Sequence, residues 1–164
     1  MLCLTSLAYG VGPLDLAWPI FIISLKLAVD RRALSRRALN RIGLKFEFFD
    51  AVEGGRLSDA EVAAVYDAEK NARQYKRSLS LPEIGCYLSH YALWKRIVDD
   101  GLEGGVILED DFEADESLKM VLDEISTTRL KGAMVKLYAR KPCVGTTIAC
   151  LPQRRRLIAP NQQF

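Results

Sequence analysis

The chain has 164 residues, 49% of them hydrophobic and 27% charged. That composition excludes a disordered, collagen-like or coiled-coil protein, and the length suits one domain with its own core. A formal net charge of +2 is too small to call for a nucleic-acid partner, and no stretch reaches the roughly 18 consecutive apolar residues of a membrane span.

The charge is unevenly placed. Residues 26–45 carry seven bases and one acid, residues 99–124 carry eleven acids and one base, and the last forty residues hold eight bases and no acid. Opposite fields in separate segments suit a site that holds both a polyanion and a cation, although solvated helix faces give the same pattern. Cys3, Cys86, Cys143 and Cys150 lack the C-x₂₋₄-C spacing of a metal knuckle. The first seventeen residues have no Lys or Arg to form a signal peptide's basic region. Residues 1–17 therefore read as a loosely ordered leader, and the protein as cytoplasmic with reduced thiols.

From Trp18 the chain alternates strand and helix patterns. Pro19 to Ser24 is a short apolar run fit for a strand buried on both faces. Asp30 is placed to cap a helix with Ala33, Leu34, Ala38 and Ile42 inward, ending at Gly43. Phe46 to Phe49 predicts a second strand, and Ser58-Asp59-Ala60-Glu61 a capping box opening a helix through Lys70. A basic connector, residues 71–78, leads to a second capping box, Ser80-Leu81-Pro82-Glu83. In the helix that follows, Ile84, Tyr87, Leu88, Tyr91, Trp94 and Val98 share one face, predicted to be the buried one. Val106-Ile107-Leu108 reads as a buried strand, residues 118–125 as a helix and residues 134–137 as a strand. Such alternation predicts an α/β fold with a mostly parallel sheet.

Glu109-Asp110-Asp111 falls at the carboxyl end of a strand, where open α/β sheets bind ligands. In an extended segment Glu109 and Asp111 point to the same side and can share a divalent ion. The other reading is an acidic helix amino terminus, with Asp111, Glu113, Asp115 and Glu116 favouring the dipole of the next helix. His90 is the single histidine. It is either a structural residue at the edge of its helix or, with Glu83 two turns earlier, part of a cleft. Ser24 and Asp50, ending the first two strands, are placed to contact a nucleoside, and Arg31 and Arg77 are candidates for a diphosphate.

Several blocks now fall in register: Phe21-Ile22-Ile23-Ser24-Leu25 with Asp30-Arg31-Arg32; Phe46 to Gly54; Glu83-Ile84-Gly85-Cys86-Tyr87-Leu88-Ser89-His90; Trp94-Lys95; and Val106 to Asp111. In that order they resemble glycosyltransferase family 25, the lipooligosaccharide-biosynthesis galactosyltransferases of Gram-negative bacteria. The likeness runs from Trp18 to at least Asp111 and more weakly to Gln162, with Glu53 where the family often has aspartate. It implies a GT-A type nucleotide-sugar-binding fold, with residues 18–164 a single glycosyltransferase-like domain. It also implies a UDP-sugar donor, galactose above all, and transfer with inversion to a lipooligosaccharide or lipopolysaccharide acceptor. Glu109 and Asp111 would hold Mn²⁺ or Mg²⁺ in the part of an Asp-x-Asp motif, with Asp110, Glu83 and His90 on the donor side. After residues 157–162 such proteins continue into a further strand and helix. The expectation is a domain lacking its C-terminal portion, with acceptor residues and the general base beyond Phe164, poor turnover and association with a second copy of the chain.

Two rivals use the same features: a non-catalytic nucleotide-sugar-binding domain, and a nucleotidyltransferase with carboxylates at a strand end. Nucleic acid is excluded further because the basic tail has only Tyr138 and Phe164 for stacking. Arg154-Arg155-Arg156 offers anionic headgroups of the inner membrane a peripheral contact of roughly 1 kcal/mol per charge.

Overall fold

The computed structural model describes residues 18–75, 77–128 and 133–137, together with the backbone of two strands near the end of the chain. Residues 1–17, and the side chains of Cys143, Cys150, Arg154, Arg155 and Arg156, lie outside what is described.

Three parallel strands form the central sheet in the order β2-β1-β3: β1 (Ile20–Ser24), β2 (Glu47–Asp50) and β3 (Val106–Glu109). Every residue of β1 is buried. As the middle strand it needs apolar side chains on both faces, which the run Ile-Phe-Ile-Ile supplies. Alternation then sorts them. Ile20 and Ile22 join Leu39 of α1 (Val29–Arg41) and Leu122 of α5 (Ser117–Thr127) on one side. Phe21 and Ile23 join Leu93 of α4 (Leu81–Asp99) on the other, with Ile97, Phe49 and Ile107. Helices thus cover both faces, the α/β arrangement expected, and it accords with the nucleotide-binding half of a GT-A fold. An antiparallel pair, β4 (Gly145–Leu151) and β5 (Arg155–Pro160), forms a separate two-stranded sheet.

Several expectations are corrected. Helix α1 starts at Val29 with Ala28 as N-cap, so Asp30 lies inside the first turn and acts through the dipole rather than as a cap. Gly43 follows with φ +71°, the left-handed residue that ends the helix. The single helix expected from Ser58 to Lys70 is two, α2 (Asp59–Val65) and α3 (Ala68–Gln74), because Asp67 caps a new one through Lys70 N–H at 2.8 Å. The second of these takes in residues 71–74, which the sequence assigns to a connector. Residues 134–137 are not a strand; Met134 and Leu137 are exposed, so the packing that rewards a strand-like composition is missing there.

The largest correction concerns α4. Its buried residues are Ile84, Gly85, Ser89 and Leu93, whereas Tyr87, Tyr91, Trp94 and Val98 are exposed. The reason is close packing against the 3-10 turn Gly54–Arg56. A Cβ on Gly85 would stand 2.7 Å from the backbone of Gly54 and of Val52, and one on Gly54 would stand 1.9 Å from the Leu81 carbonyl oxygen. Ser89 adds a bond at the same contact, its hydroxyl accepting from Val52 N–H at 2.9 Å and donating to the Gly85 carbonyl at 2.7 Å. A face that must touch backbone is made of Gly and Ser, and hydropathy does not count them.

Gly85→Ala is therefore expected to push α4 off the 3-10 turn and cost roughly 1–3 kcal/mol, measured by urea unfolding. An unchanged midpoint would show that the contact gives way freely.

The amino end of α4 carries a second test. Glu83 accepts from the Ser80 backbone N–H and hydroxyl, each at 2.8 Å, and pairs with the Arg77 guanidinium, Nη1 to Oε2 at 2.9 Å. Arg77 first, then Ser80, hold the Glu83 carboxyl well below the usual carboxylate range. A pKa depressed by folding contributes stability that is complete above the unfolded value, about 4.3, and is lost as pH falls below it. Glu83→Gln should lower Tm at pH 7, and the difference from the parent should shrink in melts taken below about pH 4.

Candidate functional site at the strand carboxyl ends

Register sets the site. Ser24 stands opposite Asp50, and Ile23 opposite Glu109, so Asp110 falls level with Ser24 just beyond β3. The buried Ser24 hydroxyl donates to Asp110 Oδ2 at 2.7 Å, and Arg31 Nη1 donates to Asp110 Oδ1 at 2.9 Å. The Asp110 side chain is only 9% exposed, whereas that of Arg31 is 60% exposed. Asp110 is thus a held acceptor, and Arg31 keeps most of its five N–H donors for something in solvent.

Arg32 is the residue that sequence reasoning passed over. Its Nη2 donates to the Ser24 carbonyl at 2.9 Å and to Asp50 Oδ1 at 2.5 Å, and its Nε donates to the Leu25 carbonyl at 3.2 Å. The guanidinium lies 4.9 Å from the Phe48 ring centroid, a cation–π position. The hydrogen bond from Arg32 holds the Asp50 carboxyl below its ordinary value, so Asp50 is an anionic acceptor at neutral pH. Ser35 completes the set: its hydroxyl donates to the Arg31 carbonyl at 2.9 Å and to the Asp110 carbonyl at 3.2 Å. The available signal was the adjacency of Arg31 and Arg32 at the start of a helix, where one turn brings both back over the strand ends.

Glu109 faces the opposite way, toward α4. Its Oε1 is 3.1 Å from His90 Nε2 and 3.9 Å from Cys86 Sγ. Burial first, and the Glu109 carboxylate second, push the Cys86 thiol up. Trp94 flanks His90 with ring centroids 6.0 Å apart. The expectation that Glu109 and Asp111 project together assumed an extended segment, but β3 ends at Glu109 and Asp110-Asp111 form a turn, with Asp111 exposed. The capping alternative for the acidic run passes to Asp115, which accepts from Ser117 N–H at 2.8 Å, because α5 begins only at Ser117.

The structure brings Ser24, Arg31, Asp50 and Asp110 into one network through Arg32, and His90 to Glu109. Arg77 and Glu83 form a separate pair at the amino end of α4, two turns or about 10 Å from His90 along the helix. A pocket of about 420 Å³ lined by Arg41, Asp115, Glu116 and Ser117 lies at the other end of α1, roughly 15 Å from Arg31 along that helix. It is not part of the strand-end site.

A parallel sheet with helices on both faces, and with Ser, Asp, Arg and an acidic run at its carboxyl ends, defines an α/β protein with its polar groups where open α/β sheets place their ligand sites. The chain belongs to glycosyltransferase family 25: the model of "Glycosyltransferase family 25 (LPS biosynthesis protein)" matches residues 17–147. Curated relatives agree. Procollagen galactosyltransferase 1-B of Xenopus laevis is 29% identical over 154 residues, covering 88% of this chain and 25% of that protein. Procollagen galactosyltransferase 2 of Mus musculus is 33% identical over 153 residues, covering 88% of this chain and 24% of the relative. A glycosyltransferase 25 family member of Drosophila melanogaster is 37% identical over 95 residues, 56% of this chain and 16% of its own length. The chain thus spans about a quarter of the procollagen galactosyltransferases it matches.

The strand-end network makes a stability prediction. Asp110→Ala leaves the buried Ser24 hydroxyl and Arg31 without their acceptor and should cost about 1–3 kcal/mol. In a double-mutant cycle, Ser24→Ala and Asp110→Ala should couple by about 1 kcal/mol. Additive effects in denaturant titrations would mean that the bond contributes nothing.

Proposed function

We propose that this chain carries the donor-binding part of a glycosyltransferase that moves galactose from a UDP-sugar to a lipooligosaccharide or lipopolysaccharide glycan with inversion. The observation that carries the reading is the network of Ser24, Arg31, Arg32, Asp50 and Asp110 at the strand carboxyl ends, with Glu109 and Asp111 the chain neighbours of Asp110. Family membership and the galactosyltransferase relatives support the transfer chemistry.

On this reading Asp50, kept anionic by Arg32, accepts from nucleoside hydroxyl or N–H groups. Arg31, exposed beyond its bond to Asp110, donates to the diphosphate and neutralises part of the charge that grows on it as the sugar leaves. Asp110 holds Arg31 in place, and Ser35 and Ser24 hold Asp110. Glu109, at the end of β3, and Asp111, exposed in the turn after it, would hold Mn²⁺ or Mg²⁺, ions that hard carboxylate oxygens suit. When bound, such an ion supplies Lewis-acid stabilisation of the departing diphosphate.

No described helix is long and apolar enough to cross a membrane. The proposed place of action is the cytoplasmic side of the inner membrane, with the chain's arginine-rich tail touching headgroups. The names of the relatives favour a second reading of the acceptor, procollagen in place of a bacterial glycan.

Calorimetric titration with UDP, with and without Mn²⁺, tests the donor site. Asp111→Asn should lower the metal-dependent affinity for UDP by about tenfold or more, about 1.4 kcal/mol, with the circular dichroism spectrum unchanged. Metal-dependent binding that survives in this variant would remove Asp111 from the site. Release of UDP from UDP-galactose with a lipooligosaccharide or a procollagen acceptor separates the two acceptors. Release of pyrophosphate from a nucleoside triphosphate would instead identify a nucleotidyltransferase, and UDP binding without turnover a non-catalytic domain.

A further inference from the structure

We infer that Cys86, His90 and Glu109 form a binding site for Zn²⁺, distinct in its chemistry from an oxygen-only site for Mn²⁺ or Mg²⁺. One ligand atom from each residue lies within 4.8 Å of the other two. The separations from Glu109 Oε1 are 3.1 Å to His90 Nε2 and 3.9 Å to Cys86 Sγ. Tetrahedral zinc with ordinary bond lengths keeps such atoms roughly 3.4–3.6 Å apart. Two of the three separations thus stand within about 0.3 Å of that spacing and the third is no more than 4.8 Å, a gap that side-chain rotation can close. The fourth position faces solvent, since Cys86 and Glu109 are exposed and His90 is half-buried.

The donor set decides the metal. Thiolate and imidazole are soft to borderline ligands that favour Zn²⁺ and bind Mg²⁺ or Mn²⁺ weakly. The cysteine spacings by themselves hold no metal pair, and the carboxylate run points only to an oxygen site. The signal passed over is Cys-x-x-x-His, whose members sit one turn apart on a helix and present their heads together. The scaffold under them is fixed. Gly85 and Ser89, the residues preceding each ligand, are the two that lock α4 against the 3-10 turn and Val52. Glu109 comes from the end of β3, whose register against β1 is set. Three ligands from two rigid elements need little ordering on binding.

The inference shares Glu109 with the donor-site reading and differs from it in Cys86 and His90, so it is tested on metal binding by the chain alone. Its test uses Co²⁺ as a coloured stand-in for zinc, with UDP absent. The expected result is one Co²⁺ per chain in a tetrahedral visible spectrum with a thiolate-to-metal charge-transfer band, displaced by one equivalent of Zn²⁺. Cys86→Ser should abolish the charge-transfer band, and His90→Ala should weaken Zn²⁺ binding at least about tenfold, each variant retaining the circular dichroism spectrum of the parent. Cys86→Ser should leave Mn²⁺-dependent UDP binding as it was, so the two readings fail separately. A cobalt spectrum without the thiolate band would overturn the inference. So would a band that persists in Cys86→Ser and reports another of the four cysteines.

Discussion

The carboxyl end of β1 is the point on which the rest of the molecule depends. A strand buried on both faces ends in a buried serine, and a buried hydroxyl and carbonyl must find partners or cost the fold their desolvation. Asp110 accepts from the hydroxyl, Arg32 donates to the carbonyl, and Ala51 N–H donates to the same carbonyl at 2.9 Å. Satisfying one residue thereby ties β2, β3 and α1 together at a single level. The functional groups stand where they do because the fold needs them there for its own polar accounting.

The charge asymmetry finds its structural meaning in the same place. Basic α1 and the acidic segment after β3 are partners. Arg31 reaches Asp110 at one end of the helix, and Arg41 Nη2 donates to the Ala114 carbonyl at 3.2 Å at the other. The two fields partly cancel along this seam. The charge left over, on exposed Arg31 and on exposed Asp50, Glu109 and Asp111, is of both signs. A surface of both signs suits the proposed diphosphate with its counter-cation better than a nucleic acid, which presents one sign.

Approach distance is the second constraint. Helix α4 could not bring Cys86 and His90 to Glu109 if Gly54 or Gly85 bore a side chain, because backbone meets backbone there. The cost falls on the other side of the helix, where Tyr87, Tyr91, Trp94 and Val98 are left exposed and Tyr87 and Tyr91 stack on one another with centroids 6.1 Å apart. Helix placement is therefore governed by the small residues, and the aromatic ones take what is left.

The sequence by itself determined the alternation of strand and helix around the central sheet, the three central strands to within a residue, the carboxyl-end position of Ser24, Asp50 and Glu109-Asp110-Asp111, and the family, but not the break between α2 and α3 or the β4–β5 pair. These are local: strand runs, capping boxes and residue order are written in consecutive positions. Tertiary structure decided which face of α4 is buried, that Arg32 rather than Arg31 holds Asp50, that Asp110 turns to Ser24 while Glu109 turns to His90, and that Cys86 joins them. Each of these depends on a contact between residues far apart in the chain, from 18 positions for Arg32 and Asp50 to 86 for Ser24 and Asp110. Hydropathy cannot foresee them, because it scores Gly85 and Ser89 as weak and the aromatic stripe as strong, when close approach of two backbones reverses that ranking.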